Sequence, residues 1–371
     1  MKVLHVAASF ARRDGGPSEV IRGLLPALRD LGVETELFTT NKGVTESDGD
    51  LASDESVTIF PSRRPHSWTY SPNMRPALTK AVENADIVHV HSFQTYTSSI
   101  AMRAALKAGV PYVIQPHGAL DSYHWRQRRW KKEAYLAGVD GRAVKGLSGA
   151  IYSSSREQED AKQVLPHVRA FNVPLGVTSE LFHLERDPAE QQILFLGRVT
   201  PKKRLDLVIR ALNQPPLQDL NVSLLVAGPI DPRLGYSPVA LAREQGVADR
   251  VVFLGQVDNA TRAHLLSRAS VFTLPSEDES FGVAVAEALA AGCPVVASRE
   301  VGIAPEAASK GALRLAALDA ADLSQVISAL LSEADASRQL GERGRSFASD
   351  RYTWAASADS TLECYEQVKG S

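Results

Sequence analysis

Glu279 and Glu287 flank the opening of an apolar run in Pro275-Ser276-Glu277-Asp278-Glu279-Ser280-Phe281-Gly282-Val283-Ala284-Val285-Ala286-Glu287-Ala288-Leu289. The pattern predicts a polar loop that passes into a helix near Phe281. A helix start behind a Ser- and Gly-containing turn aims unpaired N–H groups, and the positive end of the helix dipole, at whatever lies before it. A phosphate or a sugar ring suits that place. A rise of 1.5 Å per residue separates the two acids by roughly 12 Å along the axis, wider than the roughly 5 to 9.5 Å of paired glycosidase carboxylates. They therefore suit two parts of one elongated ligand. Glu287 is the only charged residue between Phe281 and Val296. A lone carboxylate among Ala and Val is either a surface acid on a narrow wet stripe or an acceptor for ligand hydroxyls, for which a ribose is the natural partner.

A second group lies in Phe195-Leu196-Gly197-Arg198-Val199-Thr200-Pro201-Lys202-Lys203-Arg204, between a buried strand and a helix. Four cations at a strand's carboxyl end suit a diphosphate, although charge runs are often only solvated turns. An Arg fork with a Lys point charge could neutralise a departing phosphate without a metal. After the first strand, Asp14-Gly15-Gly16-Pro17-Ser18-Glu19 puts a double glycine at a helix start, which is either a phosphate-facing loop or a plain capped turn. The dinucleotide fingerprint and the Walker sequence are absent. His117, in Gln115-Pro116-His117-Gly118, ends a strand and could bond a sugar hydroxyl, assist proton movement or simply pack. His89 and His91 alternate on one strand and are assigned a structural role. Asp48-Gly49-Asp50 resembles a metal-binding D-x-D but lies in an acidic loop and reads as a solvated turn.

Trp125-Arg126-Gln127-Arg128-Arg129-Trp130-Lys131-Lys132 carries five cations and two tryptophans. It suits an anionic membrane surface or a phosphate-bearing acceptor. The alternative is an amphipathic helix with Trp130 and Ala134 facing the core.

These groups need a scaffold, and the chain supplies two. At 371 residues it is long enough for two domains. Short β-branched runs alternate with helical patterns in both halves, which predicts α/β domains with parallel sheets. Expected strands are Lys2 to Ala8, Val33 to Thr39, Val57 to Phe60, Ile87 to His91, Tyr112 to Gln115 and Ala150 to Ser154, then Ile193 to Leu196, Ser223 to Ala227, Val251 to Leu254, Val271 to Leu274 and Pro294 to Ala297. Val20, Leu24, Leu28 and Leu31 form the stripe of a helix that Pro26 should kink. Ligands of such sheets bind outside the carboxyl ends of the strands. Residues 1 to 171 hold 22 Lys and Arg against 18 acids, and the remainder holds 19 against 25. That asymmetry is too mild for a nucleic-acid binder. No run is long enough to cross a bilayer and no leader is read at the amino terminus, so the expected location is the cytoplasm. Cys293 and Cys364 make neither a disulfide framework nor a zinc site.

Taken together, these residues resemble glycosyltransferase family 4, retaining enzymes of GT-B fold that use a nucleotide-sugar donor. The resemblance rests on the Gly15-Gly16 loop, the His117-Gly118 strand end, the linker that opens with Asn172 to Thr178, Gly197-Arg198 with Lys203 five residues after the Arg, the Glu279 to Glu287 segment, and the final helix beginning at Tyr352-Thr353-Trp354. It implies two Rossmann-like domains facing across a deep cleft: an acceptor-side domain at 1–171, a linker at 172–190, a donor domain at 191–350, and a last helix at 351–371 packed back on the first domain. Arg198 and Lys203 would hold the donor diphosphate, with Gly15 and Gly16 close to it. Glu279, Ser280, Phe281 and Gly282 would hold the sugar, Val283 N–H the phosphate and Glu287 the ribose, and His117 would lie beside the reacting sugar. Leu175 and Arg204 depart from the family's common Asn and Gly. The implied activity is transfer of a hexose from a nucleoside diphosphate sugar to a glycan or lipid-linked glycan, with no cofactor and no metal. A peripheral seat on the inner face of the membrane would go with the basic aromatic segment. The alternatives are a nucleotide-sugar epimerase of the same fold and a non-catalytic glycan or membrane-interaction protein.

Overall fold

The structure is a computed structural model. It describes residues 1–12, 15–127, 129–188 and 191–370, so the expected roles of Asp14 and Arg128 lie outside the described residues. The chain forms two compact units: Met1–Gly176 with the terminal helix Trp354–Lys369, and Val177–Thr353.

The first unit is built on seven parallel strands, β1 (Lys2–Val6), β2 (Glu34–Thr40), β3 (Val57–Phe60), β4 (Ile87–His91), β5 (Tyr112–Gln115), β6 (Gly149–Tyr152) and β7 (Ala170–Asn172). Their order is β3-β2-β1-β4-β5-β6-β7. Val3 of β1 stands opposite Thr35 on one side and Ile87 on the other. Strands of a parallel sheet are covered on both faces, which is why β4, β5 and β6 are buried at every position. The helix Gly16–Asp30 lays Val20, Ile21, Leu24, Leu25 and Leu28 on the core and continues through Pro26. Leu31, expected on that stripe, is instead 40% exposed just past the helix end.

The second unit has β8 (Gln192–Leu196), β9 (Ser223–Ala227), β10 (Val251–Gly255), β11 (Val271–Leu274), β12 (Val295–Ala297) and β13 (Arg314–Leu315), all parallel, in the order β10-β9-β8-β11-β12-β13. β7 and β13 have no counterpart in the sequence reading. They are edge strands of three and two residues, too short to show a period. Because β7 pairs with β6 through Asn172, the chain is still in the first sheet where the linker was expected to begin.

In each sheet the order reverses once, between β1 and β4 and between β8 and β11. At such a point the two neighbouring loops leave in opposite directions and open a crevice beyond the strand ends.

Candidate active site

The second unit brings two of the chemically loaded segments to its switch point. Gly197–Arg204 follows β8, and Pro275–Gly282 follows β11. Lys203 Nζ lies 3.4 Å from Glu279 Oε1, with both side chains mostly buried. The two loops are also sewn together by backbone: the Lys202 carbonyl accepts from Ser276 Oγ at 2.9 Å and from Glu277 N–H at 2.7 Å. Gly197 lies under Lys203, where a Cβ would stand 2.8 Å from Nζ. Arg198 is exposed, and among the described residues no hydrogen bond or ion pair engages its guanidinium.

Not all four cations are free for a ligand. Arg204 adopts a left-handed φ of 51°, the conformation that explains why Gly would suit this position. Its guanidinium is tied to Asp206 at 2.9–3.0 Å and to Glu277 at 2.5 Å, so it braces the turn.

Gly282, at φ 99°, caps the helix Val283–Ala290 with no side-chain cap bond. A side chain there would collide with Val301, and the preceding backbone is pinned by Gly302 N–H on the Glu279 carbonyl (2.9 Å) and Ile303 N–H on the Phe281 carbonyl (3.1 Å). Phe281 is buried, and Ser280 and Val283 are half-buried at the mouth of the turn. The helix start thus presents N–H donors from a rigid frame. Glu287 is 7% exposed and paired with Arg262 at 2.5 Å, which settles its burial and removes the surface alternative. Arg262 sits on the helix Asn259–Arg268, and nothing in its local sequence marks it.

In the first unit, Gly15 (φ 79°) caps the helix Gly16–Asp30, and a Cβ on Gly15 or Gly16 would meet nothing within 4 Å. Packing in the chain itself therefore does not demand glycine at 16. The neighbouring D-x-D corrects an expectation: Asp48 is 1% exposed, not solvated, and Arg22 binds Asp48 at 2.8 Å and Asp50 at 2.7 Å. This pairing ties the loop after β2 to the first helix. It takes the carboxylates out of contention for a metal role.

His117 stands at the tip beyond β5 with φ 54°. Its turn is held by Glu157, a buried carboxylate that accepts from Gly118 N–H (2.7 Å) and from Ser153 N–H and Oγ (2.8 and 2.7 Å). Burial pushes the Glu157 carboxyl up, against the lowering effect of those donors. The sequence reading missed Glu157, whose only signal is an acid in the first turn of a helix behind Ser154. Burial pushes the His117 imidazole down to about 3, so it is neutral at physiological pH. His117 Nε2 lies 3.0 Å from His91 Nδ1. His5, His89 and His91 are all buried, with ligand-capable nitrogens within 4.8 Å of one another.

The basic aromatic segment is two helices, Ser122–Arg126 and Arg129–Tyr135, rather than one. Trp125 takes the core position (4% exposed), whereas Trp130, placed toward the core in the amphipathic alternative, is 69% exposed, and Ala134 is exposed as well. Lys131 covers Trp130 at 5.2 Å and Lys132 covers Trp125 at 5.5 Å. Arg126 and Arg129 are exposed, the latter bonded to Glu133 at 2.6 Å. Among the described residues no helix is long and apolar enough to cross a membrane.

Residues 15–176 match the family described as glycosyl transferase 4-like domain, and residues 178–347 match glycosyl transferases group 1. The D-inositol 3-phosphate glycosyltransferase 2 of Catenulispora acidiphila is 27% identical over 95% of this chain and 90% of its own. The α-maltose-1-phosphate synthase of Mycolicibacterium smegmatis is 27% identical over 77% of this chain and 80% of its own. The crystal structure of Anabaena HepE in complex with UDP and glucose superposes with a TM-score of 0.76, covering 99% of each chain at 18% identity. The chain belongs to the family 4-like glycosyltransferases and has the GT-B fold. It is an enzyme that transfers a glycosyl group from a sugar donor.

Proposed function

We propose that the enzyme moves a hexose from a nucleoside diphosphate sugar to a hydroxyl of a glycan or lipid-linked glycan, with retention at the anomeric carbon and without a metal. The observation that carries this reading is the meeting of Lys203 and Glu279 at the switch point of the second sheet, beside Arg198 and the Gly282 helix start. There, one cation meets a carboxylate, a second cation, Arg198, lies on the same loop as the first, and the N–H donors of a helix start follow the carboxylate's loop. A diphosphate needs the cations and the N–H donors, and a sugar's hydroxyls need the carboxylate. HepE, which shares the fold, binds UDP and glucose.

In this reading Arg198 and Lys203 stabilise the charge that develops on the leaving diphosphate, the part a divalent ion plays elsewhere. Glu279 holds sugar hydroxyls with Ser280, Phe281 and Gly282 at its side, and Val283 N–H reaches a phosphate oxygen. Glu287 takes the ribose, exchanging part of its bond to Arg262 for the ligand. Gly15 and Gly16 leave room for close backbone approach, and His117 bonds a sugar hydroxyl. No side chain is assigned as a covalent nucleophile. Attack is from the front face, and the leaving phosphate helps to take the acceptor proton. The exposed Trp130 with Lys131, Arg126 and Arg129 supports an acceptor on an anionic surface.

The test is a panel of UDP-, GDP- and ADP-hexoses with and without glycan acceptors, in the presence of a chelator. The reading expects acceptor-dependent donor consumption that the chelator leaves unchanged, and a product of the donor's own anomeric configuration by NMR. Donor isomerised without any acceptor would indicate the epimerase instead.

A further inference from the structure

A line of side chains runs through the first unit and ends at His117. Tyr365, on the terminal helix, is fully buried, and its hydroxyl lies 2.6 Å from His89 Nδ1. The His89 ring is neighbour to His5, with centroids 5.0 Å apart. His5 Nδ1 lies 3.1 Å from His91 Nε2, and His91 Nδ1 lies 3.0 Å from His117 Nε2.

Each neutral imidazole has one N–H and one lone pair, so the line can be protonated in only two ways. Suppose His117 donates from Nε2. His91 must then donate from its own Nε2 to His5 Nδ1, and the His5 proton sits on Nε2, a buried atom without a hydrogen-bond partner. That arrangement buries an unpaired donor and bears its full desolvation cost. In the other direction His5 Nδ1–H donates to His91, and His91 Nδ1–H donates to His117 Nε2. His5 Nε2 is then a bare lone pair, the cheaper group to leave unpaired. The Tyr365–His89 contact stands outside this choice: His89 meets His5 by a ring contact and not by a hydrogen bond, so its tautomer does not set theirs.

We propose that His5 and His91 are positioning residues that hold His117 in the tautomer with its proton on Nδ1. Nε2 is occupied as an acceptor, and Nδ1–H remains to donate to a ligand oxygen. His117 is thus a hydrogen-bond donor to a hydroxyl or phosphoryl oxygen and not a general base. The inference rests on the reading of His117 as a ligand-binding residue for its functional meaning, but not for the tautomer itself. The left-handed backbone of His117 and the Glu157 bond at Gly118 fix the ring's approach independently.

Full-length chain labelled with 15N in its imidazoles, observed by long-range 1H–15N NMR, reads the tautomer directly, with His117 assigned by its loss in His117→Asn. The expected wild-type spectrum has the His117 proton on Nδ1. His91→Leu, which removes the donor, should move at least a third of His117 to the Nε2–H form. His91→Asn, whose amide replaces the Nδ1–H, should restore the wild-type pattern. A proton on His117 Nε2 in the wild type overturns the proposal whether or not the variants fold. So does about one equivalent of metal retained per chain by elemental analysis, since a metal on His5, His89 and His91 would take the lone pairs the line requires. Transferase activity is scored separately: full activity of His117→Ala would remove the ligand role and leave the tautomer result standing.

Discussion

The residues that matter most for the proposed chemistry are held by charge before any ligand arrives. Lys203 faces Glu279 across 3.4 Å, with 15% and 17% of the two side chains exposed. A diphosphate entering there meets an ammonium already oriented, and its negative charge grows as the bond to sugar breaks. Replacing Lys203 by Met should therefore lower kcat by about 10²–10³, about 3–4 kcal/mol of transition-state stabilisation, with a smaller change in donor KM. Steady-state kinetics with the cognate donor measures both. Equal loss in KM with kcat unchanged would make Lys203 a ground-state binder only. Arg198 and Arg204 show why local charge is a poor guide to such roles. Both lie in one basic run, yet Arg204 is consumed by Asp206 and Glu277, while Arg198 makes no hydrogen bond or ion pair among the described residues.

At the scale of elements, the terminal helix Trp354–Lys369 is fastened by close contact at glycine. A Cβ on Gly23 or on Gly176 would collide with the Trp354 ring, and Ser357 Oγ bonds the Pro174 carbonyl at 2.6 Å. Gly23 lies inside the helix Gly16–Asp30, where alanine would be the better helix former by roughly 1 kcal/mol. The collision opposes that gain with an overpacking cost of about 1–3 kcal/mol. Gly23→Ala should therefore lower the thermal midpoint, while the propensity effect alone would raise it; calorimetry gives the sign. Elements of this kind mark where the sequence was readable. The central strands were legible because parallel strands buried on both faces are continuous apolar runs, as in Ile193 to Leu196. The loops after β8 and β11 were legible because Gly, cations and acids cluster at strand ends. β7 and β13 were not, being too short to carry a period. Glu157, Arg262 and Arg22 were hidden for another reason: their roles come from partners 39, 25 and 26 residues distant in sequence, and no local pattern encodes that. Trp130 lies outside, against the amphipathic alternative, because the two tryptophans sit on separate short helices, Ser122–Arg126 and Arg129–Tyr135, and Trp125 takes the core position.

For the molecule as a whole, the buried histidines set a limit on acid stability. Burial holds His5, His89 and His91 well below the ordinary 6.5, helped by their mutual repulsion and, for His5, by Arg29. The unfolded chain binds those protons below pH 6.5 and the folded chain does not, so stability is full above that pH and falls as pH drops below it. Each group costs about 1.4 kcal/mol per pH unit, roughly 4 for the three, against a total stability of about 5–15 kcal/mol. The first unit should therefore lose stability progressively as the pH falls below about 6.5 and unfold in acid. All four tryptophans, Trp68, Trp125, Trp130 and Trp354, belong to that unit, so intrinsic fluorescence follows it alone. A fluorescence signal unchanged down to pH 3.5 would show that these imidazoles accept protons in place. The claim on which the catalytic reading depends is that a diphosphate is held by the loops after β8 and β11. Calorimetric titration of UDP, GDP and ADP into the wild type and Arg198→Ala tests it most directly. The account predicts that one nucleotide binds the wild type, and that Arg198→Ala weakens it at least tenfold. Binding of equal strength in the variant, or no binding of any diphosphate to the wild type, would contradict it.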